Sequence, residues 1–149
     1  MNSDFCLSRR HFLEGCAATL GVALVGCASN DNAKQTLQAT PQGAGFVIRN
    51  APQLGQIDRG QAVAFEFPGS IAGLLFHTME GKMGAVNAVC THAGCVVNWN
   101  GTDPKAAFVC PCHGSQFAQS GAVLKGPAAK PLAHYTVQIQ GENAVLTPA

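Results

Sequence analysis

At 149 residues the chain has room for one domain with a modest core and a short leader. Nine Lys and Arg against eight Asp and Glu leave a net charge of +1, so there is no basic footprint for nucleic acid. Only 11% of residues are charged and 47% are hydrophobic, a bias that comes from an apolar N-terminus and a body rich in glycine.

Residues 1–27 read as an export signal. Ser8-Arg9-Arg10-His11-Phe12-Leu13 is a twin-arginine signature, and an uncharged stretch rich in Ala, Gly and Val follows it from Gly15 to Asn30. Gly15, Gly21 and Gly26, with the extreme N-terminal position, argue against a buried core helix. As a helix, residues 15–28 would reach about 21 Å. A bilayer core needs about 30 Å, so a retained membrane-spanning anchor is disfavoured. Leu24-Val25-Gly26-Cys27 resembles a bacterial lipobox, which makes Cys27 the candidate acylated residue; the alternative is ordinary cleavage after Ala28. Two or more acyl chains on Cys27 would attach the protein stably to a membrane. Cys6 and Cys16 fall inside the signal.

Residues 28–44 are polar, carry Pro41 and show no apolar period, so they read as a flexible tether. Residues 45–149 change to short apolar runs separated by turn residues, the pattern of an all-β domain. Ala62 to Phe67 is a predicted strand stopped by Pro68-Gly69, and Ile71 to Met79 is another, ended by a turn at Glu80-Gly81-Lys82. Ala85 to Val89 and Ala106 to Val109 each lead into a cysteine-bearing loop. Leu132 to Gln140 alternates, with Tyr135, Val137 and Ile139 on one face, and Gly141-Glu142-Asn143 turns it into a closing strand, Ala144 to Leu146. No segment of this domain has helical periodicity.

Two runs carry the chemistry: Cys90-Thr91-His92-Ala93-Gly94-Cys95 and Cys110-Pro111-Cys112-His113-Gly114-Ser115. Each supplies thiols and one imidazole where a strand gives way to a loop. Asn100-Gly101 and Asp103-Pro104 are turn signals that let the intervening segment fold back, so the loops can converge on one metal centre. Two Cys and two His also make a common zinc set, but a zinc site leaves the other two cysteines unexplained. His77 and His134 lie on predicted strands with no cysteine nearby and read as ordinary strand histidines.

From about Ala85 to Ala128 the chain closely resembles Rieske iron–sulfur proteins of the disulfide-containing cytochrome bc and bf branch. That resemblance implies an antiparallel β-sandwich with a cluster-binding part at about residues 85–130, formed by two hairpin loops. It implies a [2Fe–2S] cluster with Cys90 and Cys110 on one iron and His92 and His113 on the other. Cys95 and Cys112 would form a disulfide across the loops, in keeping with an exported protein. Ser115 matches the family serine that donates to a bridging sulfide. Phe117 stands where high-potential members place a tyrosine that donates to a ligating sulfur, so one donor is missing. Gly126-Pro127-Ala128 matches the loop that covers the third side of the cluster. Ala93 replaces a leucine that members of this branch present to their quinol-binding partner.

Function follows from charge. With two thiolates and two neutral imidazoles the oxidised cluster is neutral, so an added electron costs less than in an all-cysteine cluster. Rieske centres span roughly −150 to +300 mV against about −400 mV for plant-type ferredoxins. The resemblance therefore implies an electron-transfer subunit of a membrane quinol-oxidising chain, working with a cytochrome b-type oxidoreductase and a periplasmic cytochrome. A Rieske small subunit of another periplasmic oxidoreductase, of the arsenite oxidase kind, is the alternative. Twin-arginine export fits, because a cluster inserted in the cytoplasm requires folded cargo.

Overall fold

The computed structural model describes residues 36–101, 103 and 105–149; the expected signal, with Arg9, Arg10 and Cys27, lies outside them. Among the described residues no helix is long and apolar enough to cross a membrane. The described residues form eleven strands in chain order: β1 Leu37–Gln42, β2 Gly45–Ile48, β3 Ala62–Phe67, β4 Ile71–His77, β5 Met83–Asn87, β6 Asn98–Trp99, β7 Phe108–Val109, β8 Gln116–Phe117, β9 Val123–Lys125, β10 His134–Gln140 and β11 Asn143–Pro148. A 3₁₀ turn at Pro52–Gln56 buries Leu54.

The strands divide into two sheets. Seven form a closed barrel in the order β1-β2-β11-β10-β5-β4-β3, and four form a small sheet in the order β6-β7-β8-β9. The all-β expectation holds, with the larger sheet closed on itself rather than split into the two faces of a sandwich. Closure depends on a parallel pairing of β1 with β3, where Leu37 opposes Phe65 and Gln38 opposes Glu66.

Of the tether expected at residues 28–44, that pairing corrects the described part, residues 37–42. Residues 37–42 are a barrel strand: Leu37 and Ala39 turn inward and are buried, while Gln38 and Thr40 face out. Gln38 Nε2 donates to Glu66 Oε2 at 2.8 Å, and Thr40 Oγ1 donates to the Val47 carbonyl at 3.2 Å. An inward face of two small or medium side chains is too short to register as an apolar period. Its neighbours β2 and β3 hold it in place.

β4 and β5 read as continuous apolar runs because both faces are covered. Leu75 and Ala85 enter the barrel core with Ile48, Phe65, Phe67 and Leu146. Phe76 and Val86 point the other way, into a second core with Cys90, Cys110, Phe108, Phe117 and Leu132. Phe76 stacks on Trp99 with ring centroids 4.9 Å apart and meets Phe108 edge-on at 5.3 Å. Gly84 makes room for Phe76, since a Cβ there would lie 2.5 Å from the ring. Trp99 Nε1 also donates to the Gly60 carbonyl at 2.8 Å, a polar tie from the small sheet to the barrel.

Candidate metal centre

The two cysteine-bearing runs fold into loops with the same backbone wiring. In the first, the Cys90 amide donates to the Cys95 carbonyl at 2.8 Å and the Gly94 amide to the Cys90 carbonyl at 2.9 Å. In the second, the Cys110 amide donates to the Ser115 carbonyl at 2.8 Å and the Gly114 amide to the Cys110 carbonyl at 3.0 Å. Gly94 and Gly114 occupy the same place in each loop, with φ of +80° and +73°. An added Cβ at either would meet nothing within 4 Å, so the backbone angle and not space demands glycine. The signal was present in the sequence, because both runs carry Gly four residues after their first Cys.

Equivalent loop positions hold different side chains. Cys90 and Cys110 open the loops, and both are free thiols buried in the second core, at 2% and 1% exposure. His92 and His113 are exposed at the tips, their rings nearly perpendicular with centroids 4.8 Å apart. Cys95 and Cys112 are joined by a disulfide, with an S–S distance of 2.03 Å and Cα atoms 6.5 Å apart. The four candidate ligands and the candidate staple thus come together in one place.

Sulfur crowding alone would point to a different trio. The sulfur atoms of Cys95, Cys110 and Cys112 all lie within 4.8 Å of one another. Two of them are spent in the disulfide, so Cys110 is the thiol of that trio free to ligate. Burial opposes ionisation of Cys110, but the backbone amide of Cys112, the Cys90 thiol and the backbone amide of His113 outweigh it and hold its pKa below the ordinary thiol value. A thiol surrounded by donors is ready to serve as a thiolate.

A third segment closes the site. The Ala128 amide donates to Ser115 Oγ at 3.0 Å, and Thr91 Oγ1 donates to the Lys130 carbonyl at 2.6 Å. Gly126 and Pro127 are exposed and Ala128 is buried. Ser115 is fully buried. Its hydroxyl accepts from Ala128 and keeps its one proton to donate elsewhere. Thr91 and Lys130 were missed in the sequence, since a side chain reaching a carbonyl 39 residues away leaves no local pattern.

Phe117 is fully buried in the second core, opposite Phe108 on β7 and Val123 on β9. His77 is engaged elsewhere, its Nδ1 2.7 Å from the Ile57 carbonyl. His134 lies partly buried beside Phe76, with ring centroids 6.3 Å apart, and burial lowers its pKa. Both are the strand histidines expected.

Residues 49–136 match the Rieske [2Fe-2S] domain. The chain belongs to that family. An iron–sulfur subunit of the cytochrome b6-f complex from Chlorobaculum thiosulfatiphilum is 41% identical over 107 residues, covering 68% of this chain and 57% of that protein. The corresponding subunit 1 of Trichormus variabilis is 52% identical over 63 residues, covering 42% of this chain and 34% of that one. The chain thus spans between about a third and just over half the length of these relatives. Among solved structures, the cyanobacterial plasma membrane Rieske protein PetC3 from Synechocystis superposes with a TM-score of 0.52 at 34% identity, covering 72% of this chain and 99% of that one. The ferredoxin of carbazole 1,9a-dioxygenase from Nocardioides aromaticivorans, at 22% identity and a TM-score of 0.54 over 69% of this chain and 98% of that one, shares the fold.

The Rieske domain holds a [2Fe–2S] cluster, and its residues fit that group. Two buried free thiols beneath two exposed imidazoles make a donor set with unlike ends, as a cluster with two His in place of two Cys requires.

Proposed function

We propose that the protein is an exported one-electron carrier, the iron–sulfur component of a membrane quinol-oxidising chain of the cytochrome bc type. Cys90 and Cys110 hold one iron as thiolates, and His92 and His113 hold the other. Bound there, the cluster supplies a one-electron couple at roughly −150 to +300 mV. One observation carries the reading: the imidazoles of His92 and His113 meet edge to face at the exposed end of a site whose thiols are buried. Burial of Cys90 and Cys110 keeps water from the sulfur end. Exposure of the imidazoles would bring the opposite end of a bound cluster within reach of a donor, with the ring nitrogens of His92 and His113 that are not ligands left free to hydrogen-bond to it.

The partners are a cytochrome b-type quinol oxidoreductase as donor complex and a periplasmic cytochrome as acceptor. Two likenesses support this, the Chlorobaculum cytochrome b6-f subunit and the Synechocystis plasma membrane protein. Arg9 and Arg10 direct twin-arginine export, and acylated Cys27 attaches the domain to the membrane. A second reading, a small subunit of another periplasmic oxidoreductase, draws on Ala93. This exposed residue offers only a methyl group beside His92, a small contact for a quinol-binding partner.

Electron paramagnetic resonance of the dithionite-reduced full chain tests the ligand set. The expected result is a Rieske-type signal with coupling to histidine nitrogen, lost on replacing Cys90, His92, Cys110 or His113. Retention of the signal in His113→Ala overturns the assignment. Fractionation of wild type, Cys27→Ser and the Arg9→Lys, Arg10→Lys double variant tests address and anchoring. Wild type should sediment with membranes, Cys27→Ser should be released or accumulate as precursor, and the double variant should stay inside the cell.

A further inference from the structure

A cavity of about 310 Å³ opens between the barrel and the turn that joins β8 to β9, and none of its lining residues belongs to the cysteine-bearing loops. Its size lies at the lower end of ligand pockets, which run roughly 300–1,000 Å³, and suits a molecule built on one ring. Phe76, Met83 and Gly84 give it an apolar base from β4 and β5. Lys82, Gln119, Ser120 and His134 give it a polar side. We propose that this cavity binds a small aromatic carboxylate, with the ring against the apolar base and the carboxylate toward Lys82.

Hydrogen bonding sorts the polar lining into two kinds. Thr78 and Thr136 are engaged already: Thr78 Oγ1 accepts from the Lys82 amide at 3.1 Å, and Thr136 Oγ1 donates to the Thr147 carbonyl at 3.3 Å. The side chains of Gln119, Ser120 and His134 have no hydrogen-bond partner among the described residues. None of their polar atoms is sealed inside protein, so all three can meet a ligand. The His134 ring lies beside Phe76, with centroids 6.3 Å apart, and burial lowers its pKa and keeps it neutral at neutral pH. Amide, hydroxyl and neutral imidazole each then bring an N–H or O–H for a carboxylate to accept. Among the described residues lining the cavity, Lys82 carries the full positive charge and no carboxylate opposes it. Glu80 stands fully exposed two residues before Lys82, outside the lining. Its own backbone amide, the Thr78 hydroxyl and Lys82 hold its carboxylate below the usual range, so it offsets part of the Lys82 charge from outside. The inference goes beyond the quinol-chain reading and stands on the cavity alone.

Benzoate is the probe, titrated into the oxidised full chain and followed by ligand-observed nuclear magnetic resonance. Binding should saturate at one benzoate per chain. Acetate, which lacks the ring, and benzyl alcohol, which lacks the charge, should each bind more weakly by about fivefold or more. Lys82 is exposed, so Lys82→Met leaves the core alone and should weaken benzoate binding by about fivefold. Removing the offsetting charge in Glu80→Gln should tighten it, and His134→Ala should weaken it. Absence of saturable benzoate binding to wild type overturns the proposal, and that titration needs no variant to fold. Acetate bound as tightly as benzoate overturns it by removing the apolar base, and unchanged binding in Lys82→Met overturns it by removing the charge. None of these outcomes touches the paramagnetic resonance test, since no cavity residue is a cluster ligand.

Discussion

The backbone amide of Ala128 donates to the hydroxyl oxygen of Ser115 across 3.0 Å, joining the third loop to the floor of the cluster site. This bond orients a fully buried hydroxyl whose proton is left to donate toward the site. A donor to sulfur bonds more strongly to the reduced, more negative cluster, and so raises the midpoint. For an ordinary net hydrogen bond of roughly 0.5–1.5 kcal/mol, Ser115→Ala should lower the one-electron midpoint by about 20–65 mV. Redox titration followed by paramagnetic resonance measures it. The same substitution leaves the Ala128 amide without its acceptor, at a cost to folding of about 1–3 kcal/mol.

Phe117 offers the converse test. Its ring is fully buried in the core that contains both Cys90 and Cys110. A hydroxyl placed there must find an acceptor or be buried unsatisfied. If a ligating sulfur accepts it, Phe117→Tyr should raise the midpoint by about 20–65 mV with the signal shape retained. A Tyr variant destabilised by about 1–3 kcal/mol with an unchanged midpoint would show the hydroxyl stranded.

The disulfide closes a loop of 17 residues in sequence, which in the chain-entropy account stabilises a fold by about 3 kcal/mol. Cys95→Ser and Cys112→Ser should each lower domain stability by that order in denaturant titration. Both should retain the ability to take up iron, because Cys90 and Cys110 are separate, free thiols. Two free thiols at Cys95 and Cys112 in mass spectra of purified wild type would count against the staple.

Gly94 and Gly114 separate conformational cost from steric cost. Both have positive φ and open space where a Cβ would lie. Ala at either position should cost about 1–2 kcal/mol through the backbone alone. Asn, which tolerates the left-handed region, should cost less at both. Thermal unfolding of the four variants checks the order; Asn as damaging as Ala would point to a contact rather than the backbone angle.

Local chemistry made the site legible before any fold was known. The two runs of Cys, His and Gly each act within six residues, so ligand-type residues and the loop turns that present them are written contiguously. The same holds for β3, whose predicted span Ala62 to Phe67 matches the structure, and for β10, whose alternation sets Tyr135, Val137 and Ile139 against the barrel core. In both, period-2 burial on a long strand repeats often enough to be seen.

Tertiary structure alone decided the rest. β1 carries only Leu37 and Ala39 inward, and its strand character comes from pairing with β2 and, in parallel, with β3. β6 and β8 are two residues long and exist because β7 lies between them. Ser115 could be matched to a family position, but the Ala128 amide that orients it lies 13 residues further on, and the Thr91 contact to Lys130 spans 39. Such contacts form only when separate loops are brought together by burial of Phe76, Phe108 and Phe117 in a common core. Residues that act within one turn of chain announce themselves, while residues that act across loops depend on closure, whose free energy belongs to the whole fold.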